Sequence, residues 1–187
     1  AISSPDYIIG QYHEWFTCLV EKNTHNLNSF AQNISLLGLV RRTTGHADYS
    51  DLWLIIPGMA LFALPYLRFS QYKNLAFRET ILASVLLFVI LFSTGSEASG
   101  YVIALLGVCI WYTAAPWKRG KWAIALMIFV FILSGMGNCD LIPKTIRHDY
   151  IQTYALRALP ISIVWLWLCY ELCTKDYTPI EKVNAHE

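Results

Sequence analysis

Apolar residues along this chain come in long blocks and not in a short period. Runs at roughly Leu52–Leu67, Ala76–Phe92, Tyr101–Trp117, Trp122–Met136 and Ala155–Cys173 are each almost free of charge. A surface helix of a soluble bundle shows a polar stripe every three or four residues. The stretch Ile81-Leu82-Ala83-Ser84-Val85-Leu86-Leu87-Phe88-Val89-Ile90-Leu91-Phe92 has none. Runs of this kind, near the lower limit of about 17–25 residues for a spanning helix, predict about five transmembrane helices. Aromatic residues at the run edges, Trp53, Tyr101, Trp117 and Trp122, fit the interfaces of a bilayer. Proline and glycine inside the runs (Pro57, Gly58, Pro65, Pro160) free backbone groups that neighbouring helices must satisfy, or mark simple kinks.

The first 50 residues are too polar to span. Ile8, Ile9, Tyr12, Trp15, Phe16, Leu19 and Val20 nevertheless fall at helical spacing, which predicts an amphipathic helix lying at an interface or continuing an earlier span. The expected organisation is an amphipathic helix and polar loop over 1–50, a transmembrane bundle over 51–173 and a tail over 174–187. Positive charge is retained on the cytoplasmic side of short loops. Arg68, Lys73 and Arg78 follow the first run, and Lys118, Arg119 and Lys121 follow the third, whereas residues 93–100 carry no positive charge. The rule puts the N-terminal segment and residues 137–154 outside and the tail in the cytoplasm. The resulting expectation is an all-α integral membrane protein, with a bacterial inner or plasma membrane as its setting.

Composition sharpens this. The chain is 56% hydrophobic and 14% charged, about half the charged share usual for a soluble domain. A formal net charge of +1 and the lack of a basic stripe argue against nucleic acid as a partner. Five cysteines (Cys18, Cys109, Cys139, Cys169, Cys173) include no C-x-x-C pair. The chain opens on Ala1-Ile2-Ser3 with neither an initiator Met nor a signal-peptide pattern, as expected of a processed product or fragment.

Polar residues gather in the predicted outward loops. Asn23, His25, Asn26, Asn28, Gln32, Asn33 and Ser35 precede the adjacent pair Arg41-Arg42. Amides and hydroxyls bond sugar hydroxyls in both directions, and guanidinium matches phosphate bidentately. The same residues would equally suit a solvated loop whose arginines reach lipid headgroups. Asn33-Ile34-Ser35 fits the N-glycosylation sequon. Glu97 is the only acid in its loop, and Lys144, Arg147, His148 and Asp149 cluster in the last one. Glu171, near the end of the last run, is expected to snorkel to the interface. No set of His, Cys and carboxylates has metal-ligand spacing, and no P-loop or G-x-S-x-G occurs.

Four stretches together resemble the C-terminal part of the family 87 glycosyltransferases, multi-span enzymes of the GT-C class that use polyprenyl-phosphate sugars. They are Tyr12-His13-Glu14-Trp15, Gln32-Asn33-Ile34-Ser35 through Arg41-Arg42, Phe92-Ser93-Thr94-Gly95-Ser96-Glu97 through Ile103, and Tyr154-Ala155-Leu156-Arg157-Ala158-Leu159-Pro160. Ile34 departs from the Asn-Gln-Ser of the family pattern, and residues 96–99 lack the Trp and His pair many members carry there. The resemblance implies transfer of a sugar, mannose among the candidates, from a lipid-linked phosphate donor to an acceptor on the outer face. It implies a catalytic acid upstream of this chain, with Asn33 and Ser35 on sugar hydroxyls, Arg41, Arg42 and Arg147 on phosphate, and Glu97 on acceptor or sugar. No cofactor beyond the donor is implied. Partners would be membrane lipids, the donor, and the N-terminal remainder or other membrane subunits. The rival reading is a non-catalytic membrane subunit whose loops bind a partner protein. A transporter would place charges inside several spans, and these runs hold almost none.

Overall fold

The computed structural model describes residues 4–29, 31–45 and 49–178, without the side chain of Asn28. The expected tail beyond residue 178 lies outside the described residues. Every regular element among them is helical: α1 (Pro5–Asn28), α2 (Leu36–Thr44), α3 (Leu52–Ala63), α4 (Leu75–Leu91), α5 (Tyr101–Thr113), α6 (Lys121–Val130), the single turn α7 (Lys144–Ile146) and α8 (Ala158–Thr174).

The five apolar runs do form helices, but none becomes a span. The longest two, α4 and α8, have 17 residues each. At 1.5 Å per residue that is about 26 Å, short of the roughly 30 Å hydrocarbon core. The other three stop earlier for local reasons. Helix α3 gives way to a 3-10 turn at Leu64–Leu67 that contains Pro65, whose ring cannot continue the ladder. Helix α5 ends at Thr113 ahead of Pro116. Helix α6 widens into a π turn at Phe131–Gly135. Helix α1 has 24 residues but carries Asp6, Glu14, Glu21 and Lys22 along it. Among the described residues no helix is long and apolar enough to cross a membrane. The expectations of an integral membrane bundle, of an inner-membrane location and of an outside N-terminal segment with a cytoplasmic C-terminus are corrected accordingly.

The bundle is organised around α4 and α8. Helix α5 packs closely on α4 because Gly107 offers no side chain where a Cβ would meet the Ala83 carbonyl at 3.2 Å. Ala104 and Ala83 are wholly buried at the same seam. Helix α8 closes the core through Ile161, Val164, Trp165 and Leu168, each 0–1% exposed. The Trp165 indole donates to the Ser84 hydroxyl at 3.2 Å. Its ring meets Phe88 and Phe92 at 5.9 and 5.3 Å, and Phe62 of α3 stacks on Phe88 at 4.5 Å.

The two groups of loops sit at opposite ends of this bundle. At one end Arg68 donates to the carbonyls of Leu172 and Lys175 at 2.6 and 2.8 Å, and Gln71 donates to Asp176 at 3.0 Å. Residues 175–178 are thereby strapped across the 3-10 turns that follow α3. Glu171 does not snorkel: it is 3% exposed. Its carboxylate accepts from Arg119 at 2.5 Å and from the Trp111 indole at 2.8 Å, while Arg119 lies over the Trp111 ring. Removing one partner of a buried ion pair leaves the other uncompensated. We expect Glu171→Ala to lower stability by about 3–5 kcal/mol in a denaturant titration, and Glu171→Gln to lower it less, since an amide still accepts from Trp111. Equal midpoints for wild type and Glu171→Ala would disprove this.

Candidate functional site

The other end of the bundle holds most residues that the sequence marks as candidates. They are gathered by the segment between α1 and α2. Asn33 has a left-handed backbone (φ 54°), a conformation Asn tolerates better than most residues. Its side-chain carbonyl accepts from the Ser35 hydroxyl at 2.8 Å. Ser35 in turn caps α2, its oxygen accepting from the Gly38 amide at 3.1 Å. A Cβ at Gly38 would run into the Asn33 carbonyl, so only glycine lets α2 start this close to the turn. Between the two, the Ile34 amide donates to the Ser96 carbonyl at 2.9 Å and the Tyr101 hydroxyl donates to the Ile34 carbonyl at 2.9 Å. Asn33 and Ser35 are both 0% exposed, so the sequon is closed to modification in the folded chain.

The arginines part company here. Arg42 turns toward the main chain and donates to the carbonyls of Ser29, Gln32 and Gln152 at 2.7–2.8 Å. Burial pulls its pKa below the usual arginine value. Gln32 also donates to Glu97 at 3.1 Å, so Glu97 stands beside the same turn. Arg41 points the other way, to Asp51 at 2.6 Å, with its guanidinium 4.6 Å from the Tyr49 ring centroid. Arg147 lies apart, paired with the exposed Asp140 at 2.8 Å and donating to the Asn138 carbonyl. The six candidates therefore do not form one constellation. Asn33, Ser35 and Arg42 build the turn, Glu97 borders it, Arg41 faces a cleft and Arg147 braces the loop before α7.

That cleft has a volume of about 740 Å³. Its polar lining includes Asn23, Arg41, Tyr49, Asp51, Ser93 and Thr94. Its apolar lining is made by Leu27, Leu37, Leu52, Ile55 and Phe92. Thr94 donates to Asn23 at 2.6 Å, which ties the C-terminal end of α1 to the loop before α5. Burial and the Asp51 charge both raise the Tyr49 pKa, against the pull of Arg41, so its phenol stays protonated. A second hollow of about 490 Å³ adjoins the cleft, sharing Ser50 and Leu52 and continuing along α3 past Trp53, Ile56 and Pro57. Together they make one groove, polar at the Arg41–Asp51 end and apolar along α3.

Sequence reasoning passed over Tyr49 and Asp51, which stand between the polar segment and the first apolar run. Their signal was an acid directly before the first apolar run, with an aromatic residue two positions ahead of it. It also left Arg157 without a role, although a cation at the head of an apolar run is costly unless it meets a partner.

Because Ser35 holds both the Asn33 side chain and the first turn of α2, we expect Ser35→Ala to cost about 1–2 kcal/mol in a denaturant titration. Gly38→Ala should cost at least about 1–3 kcal/mol by forcing the turn away from the helix. An unchanged midpoint in both would show that the turn does not hold α2.

No family model matches the chain, and searches of curated proteins and of solved structures find no match either.

Proposed function

We propose that the chain forms the donor-binding portion of a glycosyltransferase that takes its sugar from a polyprenyl-phosphate carrier. The observation that carries this reading is the groove's division into a polar end and an apolar track. A hydroxyl-rich headgroup fits the polar end, where Asp51 and Asn23 can accept from hydroxyls and Thr94 and Ser93 can exchange hydrogen bonds with them. The isoprenoid fits along α3, against Trp53 and Ile56, which are 80% and 65% exposed when nothing covers them. As the sugar leaves, the bond from its anomeric carbon to the phosphate oxygen breaks and negative charge grows on the phosphate. Arg41 lines this cleft, and a cation held there would stabilise the departing phosphate. The resemblance to the family 87 enzymes supports the same donor class.

A second reading, a non-catalytic subunit that binds a partner protein, is favoured by α1, which is exposed from Asp6 to His25 and packs on the bundle only at its end. The donor reading has the more specific support, since a docking helix does not need a groove with two chemistries.

Titration with a short-chain prenyl-phosphate mannose, followed by tryptophan fluorescence, tests the donor reading. Trp53→Phe should remove most of the signal change. Ile56→Asp, which puts a charge in the apolar track, should weaken binding of the tailed ligand at least tenfold while leaving binding of mannose 1-phosphate unaltered. Asp51→Asn should weaken both, by roughly tenfold to a hundredfold if a charge-assisted bond worth about 1.5–3 kcal/mol is lost. Equal affinity of wild type and Ile56→Asp for the tailed ligand would overturn the proposal.

A further inference from the structure

A smaller cavity of about 270 Å³ is lined by Ile34 of the turn before α2, and Arg157 is the charged residue in its lining. Arg157 is 4% exposed. Its Nε and Nη2 donate to the Ser134 carbonyl at 3.1 and 2.7 Å, and the Ser134 hydroxyl returns a bond to the Arg157 carbonyl at 2.6 Å. The guanidinium lies 4.4 Å from the centroid of the Tyr101 ring. Its Nη1 is buried and has no hydrogen-bond partner among the described residues. Among the described residues no carboxylate pairs with Arg157, and no acid lines the cavity.

A buried cation is costly unless a counter-charge or a full set of acceptors meets it. Here a ring face and one carbonyl compensate it in part, and one donor is left over. The side chain cannot swing out to reach water. Its stem is packed against Gly137, where a Cβ would meet the Arg157 Cγ at 3.1 Å and collide with the Leu133 carbonyl. Tyr101 beneath it is fixed through its bond to Ile34. The guanidinium is therefore held in place with an unspent donor, in a cavity whose lining also includes the residues Asn138 and Gln152. Burial lowers the Arg157 pKa, which is what an arginine without its anion should show.

We propose that this cavity binds a phosphate group, with Arg157 Nη1 as the charged donor and the Asn138 and Gln152 amides as neutral ones. A tetrahedral oxoanion offers several acceptor oxygens to such a set, and an anion completes the arginine's charge balance. The site is separate from the donor groove: it does not include Arg41, Asp51 or α3, and it stands or falls independently of the donor reading. Its phosphate can be free in solution or the end of a larger phosphomonoester.

Thermal unfolding of the full chain, in mild detergent to cover its exposed apolar faces, decides the matter. Inorganic phosphate, a short-chain prenyl phosphate and chloride are compared at matched ionic strength. Phosphate at about a hundredfold its Kd should raise Tm by roughly 5–10 °C for a chain of this size. A rise with inorganic phosphate identifies free phosphate as sufficient, whereas a rise with prenyl phosphate alone identifies an esterified one. Arg157→Met should abolish the rise, and Lys73→Met, an exposed charge at the other end of the bundle, should retain it. Should Arg157→Met fail to fold, Ala31→Trp decides instead, because it blocks the exposed edge of the cavity and leaves every Arg157 bond intact. No rise in wild type, or a rise that survives Ala31→Trp, overturns the proposal.

Discussion

The main chain of one residue, Ile34, holds this end of the molecule together. The Ile34 amide is bonded to the loop before α5, and its carbonyl is bonded by the buried hydroxyl of Tyr101. Everything that follows in the chain is placed by that clamp: Ser35 caps α2, Gly38 lets the helix begin against Asn33, and Arg41 and Arg42 then leave α2 on opposite sides. Arg41 lines the cleft beside α3, and Ile34 lines the Arg157 cavity. A buried backbone group left unbonded costs about as much as a lost hydrogen bond, so the clamp is also where the turn is least free to move.

Hydropathy located the helices well and misjudged their length. The run from Leu52 was read through Pro65, which in the structure sits in a 3-10 turn, and the run from Trp122 was read through Gly135, which closes a π turn. Composition averages over such breaks, because a proline flanked by leucines still scores as apolar. Seventeen helical residues in α4 and α8 are close enough to a span that only the backbone geometry separates the two outcomes.

The polar residues show a different limit. An arginine that reads as a phosphate ligand in sequence has the same spacing as one that bonds carbonyls 13 and 110 residues away, as Arg42 does. Only tertiary structure tells Arg41, which faces a cleft, from its neighbour, which knits the main chain. Glu171 makes the same point, since its acceptors are filled by residues 52 and 60 positions earlier. The Ser35 cap and the turn at Asn33 have partners only two and three residues away, so they were legible in the local sequence, which was read instead for sugar contacts.

Helix α8 lies at the centre of the core yet comes last among the described helices. During synthesis, domains form as their chain emerges. Until α8 leaves the ribosome, Phe88 and Ser84 lack Trp165, Arg119 and Trp111 lack Glu171, and Arg68 lacks the carbonyls of Leu172 and Lys175. The nascent chain therefore carries the α8-facing side of α4 uncovered from the emergence of α4 until that of α8. A polypeptide built this way depends on something else to shield that side while it waits, and a stop codon before residue 158 would leave it uncovered permanently.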